Sequence, residues 1–104
     1  MEATIHQEGN ETVIKLVGRL DTITSREHES ELLDVWKEPD TNAPKDVCVD
    51  CSGLEYVSSA GLRLFLVMQK TATATKGNLR LTGMRPEVRD IFFVTGFNAI
   101  FTIE

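Results

Sequence analysis

The sequence carries no surplus of positive charge. Its 104 residues include 11 Lys or Arg and 16 Asp or Glu, which gives a net charge of −5. A protein that binds nucleic acid presents a basic surface to the phosphate backbone, and an anionic membrane surface repels an acidic protein on average. We therefore expect no direct contact with nucleic acid.

Long apolar runs are absent as well. The longest, Leu64 to Met68, falls far short of the roughly 20 residues that a membrane-spanning helix requires. The first residues, 1–4, lack the charged and apolar regions of a signal peptide. These absences predict a cytoplasmic protein that does not insert into a membrane.

Histidine and cysteine are scarce, which restricts metal and redox chemistry. Cys48 and Cys51 have the spacing of a redox pair or of half a zinc site. They lie in a strand-like segment, however, where residues three apart point to opposite faces. A zinc site needs two more ligands, and His6 and His28 lie at no metal-like spacing. We expect two buried strand thiols, and neither a metal nor another cofactor.

The rest of the chain alternates between apolar stretches and turn-forming residues. Strands are predicted at 2–8, 12–18, 47–51, 78–82 and 99–103, and helices at about 24–37, 58–76 and 86–95. Thr24 and Glu27 fit a capping box for the first helix, Gly77 is expected to end the second, and Pro86 suits the first position of the third. The proline-containing segment 37–46 is expected to be a surface loop.

This order of elements predicts the fold class. After an initial hairpin, strands alternate with helices, which is typical of an α/β fold with parallel later strands. We expect a single domain over residues 1–104, with a mixed, mostly parallel sheet of four to five strands and three main helices.

Two serines stand where the second helix begins. A helix N-terminus offers free N–H groups and a partial positive charge, so a phosphate on Ser59 would be stabilised there and could pair with Arg63, one turn further on. Gly61 is expected to leave the backbone open to the approach of another protein. In the alternative interpretation, Ser58 and Ser59 only cap the helix.

A catalytic serine is not predicted from the same residues. A nucleophile elbow needs the pattern Gly-x-Ser-x-Gly, and Val57 stands where the first glycine would be. No histidine lies nearby in the sequence. We expect that the protein is not an enzyme.

Three stretches carry a resemblance to a known family. Residues 18–21 read Gly-Arg-Leu-Asp, residues 49–54 read Val-Asp-Cys-Ser-Gly-Leu, and residues 56–62 read Tyr-Val-Ser-Ser-Ala-Gly-Leu. They resemble the Gly-x-Leu-Asp, the Asp-Leu-Ser and the Asp-Ser-Ser/Thr-Gly-Leu phosphorylation motifs of STAS domains. The similarity is greatest to free-standing bacterial anti-sigma factor antagonists, and it covers essentially the whole chain.

The resemblance implies a phosphorylation switch. In this family the unphosphorylated antagonist binds an anti-sigma factor, a serine kinase of the GHKL type, and thereby releases a sigma factor. The kinase then phosphorylates the antagonist, and a PP2C-type phosphatase resets it. The family's phosphorylated serine corresponds to Ser59, with Ser58 as second choice because Ser58 replaces the usual Asp and Ala60 the usual Ser or Thr. The positions expected to contact the partner are Asp21, Ser58, Gly61, Leu62 and Arg63.

A second interpretation of the resemblance involves no phosphorylation. The chain would then be a STAS adaptor subunit of a transport or signalling assembly, and Ser59 would only cap its helix.

Overall fold

The strands form one five-stranded sheet in which spatial order follows chain order. The computed structural model describes residues 1–37 and 46–104, and the strands are β1 (Glu2–Glu8), β2 (Glu11–Leu20), β3 (Asp46–Val57), β4 (Asn78–Thr82) and β5 (Thr102–Ile103). β1 is antiparallel to β2, and the other neighbouring pairs are parallel. The predicted fold class is confirmed, and the strand order, which the sequence left open, is β1-β2-β3-β4-β5.

Three helices connect the strands. They are α1 (Thr22–Leu33), α2 (Ser59–Ala74) and α3 (Pro86–Val94), with Pro86 in the first turn of α3 as predicted. One apolar core joins all three to the sheet. At its centre the rings of Phe65 and Phe92 meet edge to face at 5.6 Å, and Phe101 meets Phe92 at the same distance.

The predicted cap of the first helix is wrong by three residues. α1 begins at Thr22 because Asp21 is its N-cap: Asp21 Oδ1 accepts from the N–H groups of Ile23 and Thr24 at 3.1 and 3.0 Å. The Thr24 hydroxyl in turn accepts from the Asp21 N–H at 2.9 Å. Thr24 is therefore the third helical residue of a reciprocal capping box, and Glu27 has no part in it. α1 also ends early, at Leu33, and a 3-10 helix continues the chain.

β3 is longer than predicted. The segment 52–57 continues the strand, and Val57 lies opposite Leu20 in the register with β2. Gly53 permits this because a Cβ there would lie 2.9 Å from Cγ2 of Val17 and 3.1 Å from the Leu16 carbonyl oxygen. The glycine thus allows two strands to meet closely and does not mark a turn.

The end of the second helix and the extent of the last strand also differ from the prediction. α2 stops in a motif in which Lys76, at φ 62°, takes the left-handed conformation and the Gly77 N–H donates to the Ala72 carbonyl at 2.8 Å. The last strand is confined to Thr102–Ile103, because a 3-10 helix occupies Phe97–Ala99. The loop predicted at 37–46 falls, for residues 38–45, outside the described residues.

The two thiols agree with the prediction. Cys48 and Cys51 lie in β3, and both are free and buried. Separately, within residues 1–37 and 46–104, no helix has the length and apolar character needed to cross a membrane.

Candidate functional site: the ends of two parallel strands

The site is formed where β2 and β3 end side by side. The Ser58 N–H donates to the carbonyl oxygen of Leu20 at 2.9 Å, so the residues that follow both strands are held together. Asp21 then caps α1 and Ser58 caps α2. We call Asp21, Ser58, Ser59 and Arg63 the strand-end site.

Ser58 is engaged in the fold. Its backbone is extended, at φ −83° and ψ 175°, and its hydroxyl oxygen accepts from the Gly61 N–H at 3.2 Å. Its side chain is half-buried. The prediction that a serine caps this helix is therefore correct for Ser58.

Ser59 differs from its neighbour in both respects. It is the first residue of α2 and is exposed. In the part of the chain that the structure describes, its hydroxyl makes no hydrogen bond, so removing it should leave the fold intact. The free N–H groups of the first turn lie beside it, where an anion is stabilised.

Asp21 combines a structural role with an accessible charge. The pKa of its carboxyl is lowered, chiefly by the hydrogen bond from the Thr24 N–H, with the Thr24 hydroxyl and the Ile23 N–H adding to it. All three of these contacts are made to Oδ1. Oδ2 makes no hydrogen bond to any described residue, so the half-buried carboxylate can still accept one from outside the chain.

Two predicted contact residues are wrongly assigned. Gly61 and Leu62 are buried, so neither offers a surface to a partner. A Cβ on Gly61 would lie 2.7 Å from the Leu20 carbonyl oxygen and 2.9 Å from Cγ1 of Val57. The surface that approaches Gly61 closely is the end of the protein's own sheet, and the glycine is needed to seat α2 there.

Arg63 is exposed on α2, four residues after Ser59, as the helical spacing predicts. Sequence analysis missed a second arginine at this end of the sheet. The Arg19 guanidinium lies 4.4 Å from the ring centre of Tyr56, its partner across β2 and β3. Only the correct length of β3 could have revealed this pair, because the predicted strand ended before Tyr56.

Comparison with known proteins identifies the family. The family model described as "Mlab, STAS domain" matches residues 3–103. The chain belongs to the STAS domain family. The resemblance noted in the three sequence motifs is confirmed.

One curated relative of this STAS domain is a Bordetella bronchiseptica protein that carries the name anti-sigma factor antagonist BtrV. The two are 40% identical over 57 residues, which make up 55% of this chain and 49% of BtrV. The match therefore spans about half the length of that relative.

Solved structures share the fold at low sequence identity. An anti-sigma factor antagonist (STAS) domain protein from Planctomyces limnophilus is 20% identical, with a TM-score of 0.84 over 98% of this chain and 87% of that one. The anti-sigma factor antagonist SpoIIAA in its unphosphorylated form is 19% identical, with a TM-score of 0.78 over 99% and 88%. Bacillus SpoIIAA in its phosphorylated form is 18% identical, with a TM-score of 0.71 over 99% and 91%.

Proposed function

We propose that this STAS domain is a cytoplasmic anti-sigma factor antagonist and not an enzyme. In its unphosphorylated form it binds an anti-sigma factor, a GHKL-type serine kinase, and so releases a sigma factor. Phosphorylation of Ser59 by that kinase ends the binding, and a PP2C-type phosphatase restores it. The proposal is supported by the family, by the name of the Bordetella relative and, above all, by the exposed and unengaged Ser59 hydroxyl.

The difference between the two serines supports Ser59 as the modified residue. A kinase must bring a hydroxyl to the γ-phosphate of ATP, which an exposed first-turn residue allows. Ser58 would first have to give up its hydrogen bond to Gly61 and leave its half-buried position. Asp21 is the cap of the neighbouring helix α1, and its free Oδ2 can accept a hydrogen bond from the kinase.

The electrostatics of the helix terminus support a reversible switch. A phosphate adds a charge of about −1.5 to −2, which the first turn of α2 stabilises, so the modified protein stays folded. The same charge would stand in the middle of the docking surface. It would repel a partner that fits the neutral hydroxyl, and the fold itself need not change.

Binding of phosphorylation variants tests the proposal. The purified anti-sigma factor kinase of the same host should bind Ser59→Ala as tightly as the wild type and Ser59→Asp far more weakly. Ser30→Ala serves as the matched control, since it removes an exposed hydroxyl of α1 outside the strand-end site and should keep binding. Equal binding of Ser59→Ala and Ser59→Asp would contradict the switch and favour the non-phosphorylated adaptor.

A further inference from the structure

A groove between the first turns of α1 and α2 continues the strand-end site. Its walls are formed by residues from the two helices: Thr22, Ser25 and Arg26 on one side and Ala60, Arg63 and Leu64 on the other. Arg63 thus belongs both to the strand-end site and to the groove. Ala60, the residue after Ser59, also lies in its wall.

The groove contains two arginines, one from each helix. Arg26 and Arg63 are exposed, and neither forms an ion pair or a hydrogen bond with any described residue. The other four arginines are engaged: Arg80 pairs with Glu11, Arg85 donates to the Ser52 carbonyl, and Arg19 and Arg89 lie over the rings of Tyr56 and Phe93. Guanidinium groups are suited to holding a carboxylate through paired N–H donors.

The rest of the lining is consistent with a small anionic group. Glu29 also lines the groove, so two cations face a single carboxylate there. Ser25 is 7% exposed, and its buried hydroxyl oxygen has no hydrogen-bond partner among the described residues. The buried side chain of Leu64 adds an apolar part to the lining. The groove therefore has a surplus of donors over acceptors.

We infer that this groove receives a carboxylate side chain of the docked kinase, held between Arg26 and Arg63. The inference rests on the proposed function, since it names the chemistry of the same interface. It also gives the switch a specific cause. A phosphate on Ser59 lies one helical turn before Arg63 and draws that guanidinium away from the partner's carboxylate, so modification removes an attraction as well as adding a repulsion.

Affinity measurements on charge-neutralising variants test the inference. The dissociation constant of the purified kinase is measured for the unphosphorylated wild type, Arg26→Gln and Arg63→Gln, at low and at physiological salt. The dissociation constant of each variant should rise about tenfold or more, because a charge pair within an interface is lost. The affinity of each variant should also depend less on salt than that of the wild type. Lys70→Gln is the matched control: it removes a cation from the same helix about 10 Å further on and should change the affinity less than twofold.

The outcomes separate the inference from the proposed function. Arg26→Gln and Arg63→Gln binding as tightly as Lys70→Gln would overturn the groove as a carboxylate site, even if Ser59→Asp abolishes binding. If one mutation weakens binding and the other does not, the proposal that both arginines hold the carboxylate is also overturned. Ser59→Asp binding as tightly as the wild type would instead overturn the switch. The unfolding temperature of each variant should match that of the wild type, since these positions are exposed. A loss of affinity is then due to the lost contact and not to unfolding.

Discussion

The Ser58 N–H lies 2.9 Å from the carbonyl oxygen of Leu20 and donates to it. This bond crosses from the end of β3 to the end of β2, so the caps of α1 and α2 cannot move apart without breaking it. The bond therefore holds the two helix caps side by side, with Ser59 as the first residue of α2.

Gly61→Ala tests the close seating of α2. In an exposed helix, Ala in place of Gly stabilises by up to about 1 kcal/mol. Here the added Cβ would lie 2.7 Å from the Leu20 carbonyl oxygen, so we expect a destabilisation of roughly 1–3 kcal/mol. Urea unfolding monitored by circular dichroism measures it.

Lys70→Ala, at an exposed position of the same helix, is the control for Gly61→Ala and should be close to neutral. A Gly61→Ala variant as stable as the wild type would mean that α2 is not pressed against the sheet at this point.

Truncation of each serine separates capping from signalling. Ser58→Ala removes the oxygen that accepts from the Gly61 N–H and should cost about 0.5–2 kcal/mol of unfolding free energy. Ser59→Ala removes an exposed hydroxyl without a partner and should stay within about 0.5 kcal/mol of the wild type. Guanidinium unfolding of the two variants gives both values, and the reverse order would show that Ser59 is the cap.

The elements that the sequence predicted well are those with strong local patterns. β4 alternates between polar and apolar residues, and its observed bounds match the predicted 78–82. Pro86 likewise indicated the start of α3, since proline suits the first position of a helix but not its interior.

The errors arose where a residue serves a contact distant in the sequence. The predicted third strand stops before Gly53, but this glycine continues the strand where a side chain would meet Val17. Gly61 suggested an open surface, but a side chain there would meet Leu20. At both glycines, another part of the chain packs too closely to leave room for a side chain. Neither contact can be recognised without the pairing of β2 and β3. The position of Ser59 at the start of α2 was predictable from the sequence. The groove was not, because its walls come from two helices that are distant in the sequence.

An ion pair across the sheet predicts a pH dependence. Arg80 donates to both carboxylate oxygens of Glu11, at 2.9 and 2.7 Å, and this hydrogen bonding lowers the pKa of Glu11 from its ordinary value of 4.5. A lowered folded-state pKa stabilises the protein above the unfolded pKa and loses that effect as the pH falls through the folded value. The stability difference between the wild type and Glu11→Gln should therefore be greatest near neutral pH and shrink below about pH 4.5.

Denaturant unfolding at a series of pH values measures this difference. Glu27→Gln, which neutralises an exposed carboxylate on α1, is the control. Its stability difference from the wild type should not decrease comparably as the pH falls. A Glu11→Gln difference that is constant from pH 7 to pH 3 would contradict the role of the pair.

The buried thiols predict slow alkylation. Burial raises the pKa of Cys51 to about 12, and Cys48 is 6% exposed, so neither offers an accessible thiolate. N-ethylmaleimide labelling followed by mass spectrometry should find both unreacted in the native protein and both modified in guanidinium. Ser52→Cys, at an exposed position of the same strand, should react rapidly, and a native Cys51 that reacted as fast would contradict the described core.

The central claim is that the kinase modifies the exposed hydroxyl at the start of α2. The most direct measurement is phosphopeptide mapping after incubation with the purified kinase of the same host and ATP, using the wild type, Ser58→Ala and Ser59→Ala. The account predicts one phosphate on Ser59 in the wild type and in Ser58→Ala, and none in Ser59→Ala. A phosphate still incorporated into Ser59→Ala at the wild-type level would contradict it.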